Sequence, residues 1–114
     1  MRNFAVLTVL GFVLSTAPCW AETMDAMFGN TVTVTHPDGA VDRYYFEPDG
    51  SFVERAANGE SVSGRWTRRA GEVCLSVAER EDCAALPDDK AAGDAWVMET
   101  GGGSLAIAIV PGRG

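Results

Sequence analysis

From Asn30 to the C-terminus, no apolar stretch runs long enough, or repeats at the right interval, to make a helix. Short β-branched and aromatic runs are instead cut by turn residues about every ten positions. Asn30 to His36 alternates Val32 and Val34 against Thr31, Thr33 and Thr35 with period two, and Pro37-Asp38-Gly39 follows. Val41 to Glu47 follows, and then a second Pro-Asp-Gly at 48–50. Proline presets φ, aspartate tolerates the second turn position and glycine supplies a positive φ, so each triplet is a turn for a stated reason. Ser51 to Arg55, Asn58-Gly59 and Glu60 to Arg68 continue the pattern, with Val62, Gly64 and Trp66 on one face. Glu72 to Ala78 places Val73, Leu75 and Val77 on one face and Cys74 on the other. The polar run Glu79 to Asp82 reads as the next turn and Cys83 to Leu86 as a short return strand. Pro87 to Asp94 is the longest loop. Ala95 to Thr100 and Leu105 to Val110, joined by Gly101-Gly102-Gly103-Ser104, form the last pair.

About eight short strands joined by nearest-neighbour turns predict an all-β protein, an antiparallel meander curled into a small closed or half-open barrel. A two-sheet sandwich is the alternative. Closure would remove sheet edges that otherwise template aggregation.

The N-terminus reads differently. Arg2 is followed by an apolar segment from Phe4 to Leu14 and a more polar stretch with Pro18, Cys19 and Ala21. This is the pattern of a secretory signal peptide spanning 1–21, cleaved between Ala21 and Glu22. The apolar segment is too short to span a bilayer core, so no stable membrane anchor is expected after cleavage. Domain organisation follows: a flexible lead-in at 22–28, a single β domain at 29–110 and a frayed tail at 111–114. The location expected is the periplasm or exterior of a bacterium.

Removal of the leader leaves Cys74 and Cys83, an even count in an oxidising compartment, and a disulfide between them is the default. It would close a loop of about ten residues, worth roughly 2.5–3 kcal/mol in the chain-entropy model. The core needs that help. Leu, Ile, Val and Phe supply only 17 of the 93 residues from Glu22 onward, a share near the level at which disorder becomes a fair expectation. The chain carries a net charge of −7, and Arg2 is the one charged residue before Glu22, so the exported part is more acidic still. No basic stripe exists to release counterions, so nucleic acid is excluded as a partner.

Tyr45-Phe46-x-x-Asp49-Gly50, Gly64-x-Trp66, Gly71-Glu72-Val73-Cys74-Leu75 and the later Cys83 resemble small exported bacterial β proteins with lipocalin-like folds, many of unknown function. In style the chain is also similar to bacterial metalloprotease inhibitors, which combine export, a Gly-x-Trp and a disulfide. Their inhibitory N-terminal trunk has no counterpart in Glu22-Thr23-Met24-Asp25. The resemblance implies a barrel and leaves the activity open.

Candidate chemistry is thin. His36, with Asp38 or Asp42 nearby, could act as a general base, but no recognisable motif sets a serine or cysteine nucleophile beside it. It reads as the residue that ends a strand. Glu47 and Asp49 read as solvated carboxylates, not as a glycosidase pair. Asp88, Asp89 and Asp94 lack the order of ligands that calcium loops use, and Lys90 interrupts them. No metal site, cofactor or catalytic residue is therefore assigned. A possible binding surface gathers Tyr44, Arg65, Trp66, Arg68, Arg69 and Trp96. Arginine forks suit anions, but strand alternation turns Arg65 away from Trp66, and a solvated patch balancing Glu54 and Glu60 is preferred. Trp66 and Trp96 are expected to plug the barrel, whose interior is expected to be filled by side chains. The function class expected is a monomeric, non-catalytic binding or inhibitor module with an unknown protein or small-molecule partner. A structural or stress-related envelope protein is the alternative, and a small hydrolase is third.

Overall fold

The structure, a computed structural model, describes residues 23–113; the expected signal peptide and its cleavage point at Ala21/Glu22 lie outside the described residues. The chain is all-β, as expected. Its strands are β1 (Thr31–Thr35), β2 (Val41–Phe46), β3 (Ser51–Arg55), β4 (Ser61–Arg69), β5 (Glu72–Val77), β6 (Arg80–Ala85), β7 (Ala95–Thr100) and β8 (Gly103–Val110), preceded by a short helix α1 (Thr23–Met27). They form one antiparallel sheet in the order β6-β5-β4-β3-β2-β1-β8-β7. The sheet curls into a nearly closed barrel. Since β8 returns to pair with β1, the meander closes everywhere except between β6 and β7. That seam leaves two strand edges, so closure is less complete than edge protection alone would favour.

The first three hairpins share one device. Gly39, Gly50 and Gly59 have φ of 91°, 95° and 94°. In each turn the preceding Asp or Asn side chain accepts a backbone N–H two residues on: Ala40 N to Asp38 Oδ1, Ser51 N to Asp49 Oδ1 and Glu60 N to Asn58 Oδ1, all 2.9 Å. Asn58-Gly59 thus repeats the chemistry of the two Pro-Asp-Gly triplets without the proline.

Registers place Val32, Tyr44, Glu54 and Val62 in one row across β1 to β4, and Phe46, Phe52 and Gly64 in another. The lower row is closely packed. Phe52 and Ile109 are almost fully buried, and Phe46 and Phe52 rings lie 5.8 Å apart. Here Gly64 is required. A Cβ on it would fall 2.4 Å from the Ser76 carbonyl oxygen and 2.7 Å from the Phe52 ring.

Three expectations need correction. The lead-in is not loose: α1 buries Met24 and Met27 against the barrel floor, each worth about 1.5–3 kcal/mol. Its Thr23 hydroxyl donates to the Pro87 carbonyl and accepts the Lys90 N–H at 3.1 Å, which ties the helix to the long loop. The tail is not frayed through Arg113. Gly112 N–H donates to Asn30 Oδ1 at 2.8 Å, and Arg113 donates to the Phe46 carbonyl and pairs with Glu47 at 3.2 Å. Finally, the turn expected at Glu79–Asp82 is shorter. Arg80 to Asp82 belong to β6, Val77 pairs with Arg80, and Ala78 takes a positive φ of 56°.

Cys74 and Cys83 lie directly opposite each other on β5 and β6, with Cα atoms 4.0 Å apart, and form the disulfide. The bridge sits on the outer face and fastens the edge strand β6 to the sheet.

Candidate functional site

The barrel floor is filled, as expected, but the upper interior is not. Trp66 lies at the floor, where its ring meets Phe28 at 5.7 Å and its Nε1 donates to the Glu47 carbonyl at 2.8 Å. Above it lies a cavity of about 290 Å³, walled by inward residues of β1, β2, β5, β6, β7 and β8. Its lining is almost wholly apolar: Val32, Val34, Val73, Leu75, Met98 and Ile107 are typical. A filled interior fails here for a countable reason. Inward positions on β6 are the small Ala84 and the polar Asp82, so one wall lacks bulk. The incomplete seam is the same place, with Ala84 to Leu86 on one side and Trp96 and Met98 on the other.

A second hollow of about 420 Å³ adjoins the first and shares Tyr44, Leu75 and Asp82 with it. Its lining is mixed, with Phe52, Val62 and Val77 beside Glu54 and Arg80. Tyr44 stands directly opposite Glu54 in the β2–β3 register, and both side chains line this hollow. Burial pushes the Tyr44 phenol far above its ordinary value, and the negative charges of Glu54, Asp42 and Asp82 push it further the same way. Of these three, Glu54 and Asp82 line the polar hollow together with Arg80, while Asp42 lies outside it beside His36. At the other end, Trp96 has its Nε1 buried without an acceptor among the described residues, a state that costs free energy in an apolar wall. Its ring face is covered by the Lys90 ammonium, 5.7 Å from the centroid.

Of the six residues offered as a binding surface, only Tyr44 and Trp96 come together, as walls of the apolar cavity. Trp66 belongs to the floor. The three arginines separate, and each is held by the protein itself. Arg65 donates to the Asp49 carbonyl at 3.1 Å, and Arg69 pairs with Glu81 at 3.2 Å. Arg68, on the Trp66 side as alternation requires, donates to the Glu72 carbonyl and pairs with Asp88 at 2.6 Å. They do not balance Glu54, which points inward. Glu54, partly buried, and Asp82, at the exposed rim, are the polar lining residues that the sequence reading missed. Glu54 was within reach: it stands two positions after Phe52 in a strand and so shares its face.

A different, wider depression lies outside the barrel among the turns. It is lined by His36, Asp38, Asp42, Ala57 and Asn58 among others. His36 Nε2 and Asp42 Oδ2 are 2.7 Å apart, and Asp42 Oδ1 accepts the Ala57 N–H at 3.0 Å. The pair has the geometry of an oriented base, yet the depression is lined by no hydroxyl or thiol that such a base would activate. It fastens one turn to another. Asp88 is taken by Arg68, and Asp94 Oδ2 accepts the Ala91 N–H at 2.9 Å, so the acidic loop is committed to its own structure. Glu72, Cys74 and Cys83 lie within ligand distance of one another, but both sulfurs are in the disulfide and offer no thiolate.

Comparison with protein-family models, curated proteins and solved structures finds no match to this chain.

Proposed function

We propose that this chain is an exported, non-catalytic binding module of the bacterial periplasm or cell envelope, and that it holds a small apolar ligand inside the half-open barrel. The observation that carries this reading is the apolar cavity between the filled floor and the β6–β7 seam. Concave, mainly apolar sites with a few placed polar groups are the usual form of small-molecule pockets, and this one is at the small end of their size range. The seam supplies an entry, since its two edges are joined by no ladder. A leader at 1–21 and a disulfide fit an oxidising compartment. The lipocalin-like resemblance points the same way, because such barrels use their interior. The His36–Asp42 pair, without a nucleophile, gives no reason to prefer a hydrolase.

The test is titration of the exported protein with the neutral fluorophore N-phenyl-1-naphthylamine. Saturable binding with enhanced fluorescence is expected. Ala84→Phe, which puts a ring into the cavity wall, should weaken it at least tenfold while the far-ultraviolet circular dichroism stays unchanged. Binding that is non-saturable, or indifferent to Ala84→Phe in the folded variant, would favour a structural envelope protein without ligand.

A further inference from the structure

The two interior hollows differ in chemistry, and the difference specifies a ligand. Resting on the pocket reading above, we propose that the ligand is an amine-headed amphiphile, its apolar chain in the seam-side cavity and its protonated nitrogen between Glu54 and Asp82.

Continuity comes first. Tyr44, Leu75 and Asp82 line both hollows, so a chain lodged among Val34, Leu75 and Met98 can place its head beside Glu54 without leaving the barrel. Next comes the sign of the field. Glu54, Asp42 and Asp82 all act on the Tyr44 hydroxyl as negative charges. Arg80 is the one cation that lines the polar hollow, and it leans on Asp82 at 3.5 Å with both side chains about four-fifths exposed. Such a pair is worth little and yields readily. Glu54 is only half-exposed and has no cationic partner among the described residues. A carboxylate can accept about four hydrogen bonds. An ammonium brings three donors and the missing charge. An anionic head would meet the carboxylates of Glu54 and Asp82, and a hydroxyl head could donate one bond to a carboxylate but would not supply the missing positive charge.

A separate observation bears on the apolar part. Trp96 lines that cavity with a buried, unpartnered Nε1. Native walls rarely leave a buried donor so, and an oxygen carried partway along the ligand would satisfy it. The indole is therefore also the reporter.

The experiment titrates the exported protein with octylamine, octanol and octanoate, and reads tryptophan fluorescence and heat. Octylamine should bind about tenfold more tightly than octanol, with octanoate weakest, since a charge-assisted contact is at stake. Glu54→Gln should weaken octylamine about tenfold and leave octanol unchanged. Asp82→Asn, at an exposed position that folding does not depend on, should weaken octylamine by a smaller factor and serves where Glu54→Gln fails to fold. Equal affinity for octylamine and octanol, or octylamine binding unmoved by both variants, overturns the amine assignment and leaves the pocket standing. No saturable binding by any of the three overturns the pocket reading, and the assignment with it.

Discussion

Gly64→Ala adds a single methyl group and should cost more stability than any other glycine-to-alanine change in the barrel. Gly64 sits on β4 directly opposite Phe52, on the inner face. Its backbone needs no positive φ, so the penalty is purely one of space. The added carbon would stand 2.4 Å from the Ser76 oxygen and 2.7 and 2.9 Å from two Phe52 ring atoms. Ordinary carbon contacts lie near 3.5–4.0 Å, so about 1 Å of movement is required. The Phe52 ring is 2% exposed and can yield only toward the hollow it lines, whereas the Ser76 oxygen belongs to the β5 backbone, so moving it opens the sheet. Overpacking of this kind costs typically 1–3 kcal/mol, and a backbone neighbour argues for the upper half, about 2–3 kcal/mol. For a domain of this size that lowers Tm by roughly 8–20 °C. Thermal unfolding followed by circular dichroism measures it, with Gly101→Ala as the control, since nothing lies within 4 Å of that position. Gly64→Ala in a Phe52→Leu background separates the two clashes. If the ring dominates, the extra loss shrinks; if the carbonyl dominates, it persists. A Tm within about 2 °C of the parent would refute the packing described for the barrel floor.

Trp66→Ala should cost about 3 kcal/mol by urea unfolding, the lower end for a tryptophan, because the indole is half-buried while its N–H holds the Glu47 carbonyl. A marginal change would mean that the ring faces solvent or a partner. Cys74→Ser with Cys83→Ser should lose about 2.5–3 kcal/mol, and mass spectrometry of the exported parent should show Glu22 first and two hydrogens missing; free thiols would refute the bridge. The Tyr44 phenol is raised above its ordinary value of 10.0, so the folded state holds that proton more tightly than the unfolded one. Its contribution is complete below pH 10 and fades as pH climbs toward the folded value; Tyr44→Phe should therefore flatten the alkaline fall in stability, and an unchanged slope counts against burial of the Tyr44 phenol beside Glu54.

The meander was legible because its turns carry their own chemistry. Pro-Asp-Gly at 37–39 and 48–50 and Asn58-Gly59 each supply a glycine at positive φ and a side-chain acceptor, so strand limits between them fall within a residue of expectation. Legibility declined where a single local signal carried the reading. Thr23 to Met27 looked loose because five residues show no period, and only contact with Leu86 and the barrel floor makes burial of its methionines worthwhile. The tail was misread for the same reason: Gly112 and Arg113 are fastened by Asn30, Glu47 and Phe46, far away in sequence. The arginines near Trp66 made a patch in sequence and not in space, because alternation on a twisted strand sends neighbours to opposite faces.

The missed acidic interior follows from one register. If Cys74 and Cys83 stand directly opposite, then Leu75 must face Asp82 and Val77 must face Arg80, leaving only Ala78 and Glu79 to turn the chain. A four-residue polar turn at 79–82 is incompatible with that pairing, although the charges of Glu79 to Asp82 suggest it. The positive φ of Ala78 is the cost of obeying the sulfur, about 1–2 kcal/mol for a residue with a Cβ. That cost is smaller than the roughly 2.5–3 kcal/mol the bridge contributes. What the tight register does achieve is to carry Asp82 onto the inner face beside Leu75, within the field of Tyr44 and Glu54. Without that pairing Asp82 would not stand opposite Leu75 at the rim where the two hollows meet, although its side chain there is still about four-fifths exposed. The disulfide therefore does more than reinforce a sparse core: by setting one hairpin's register it brings a second carboxylate to the rim of the hollow that Glu54 lines, and so sharpens the distinction between head and chain on which the proposed ligand depends.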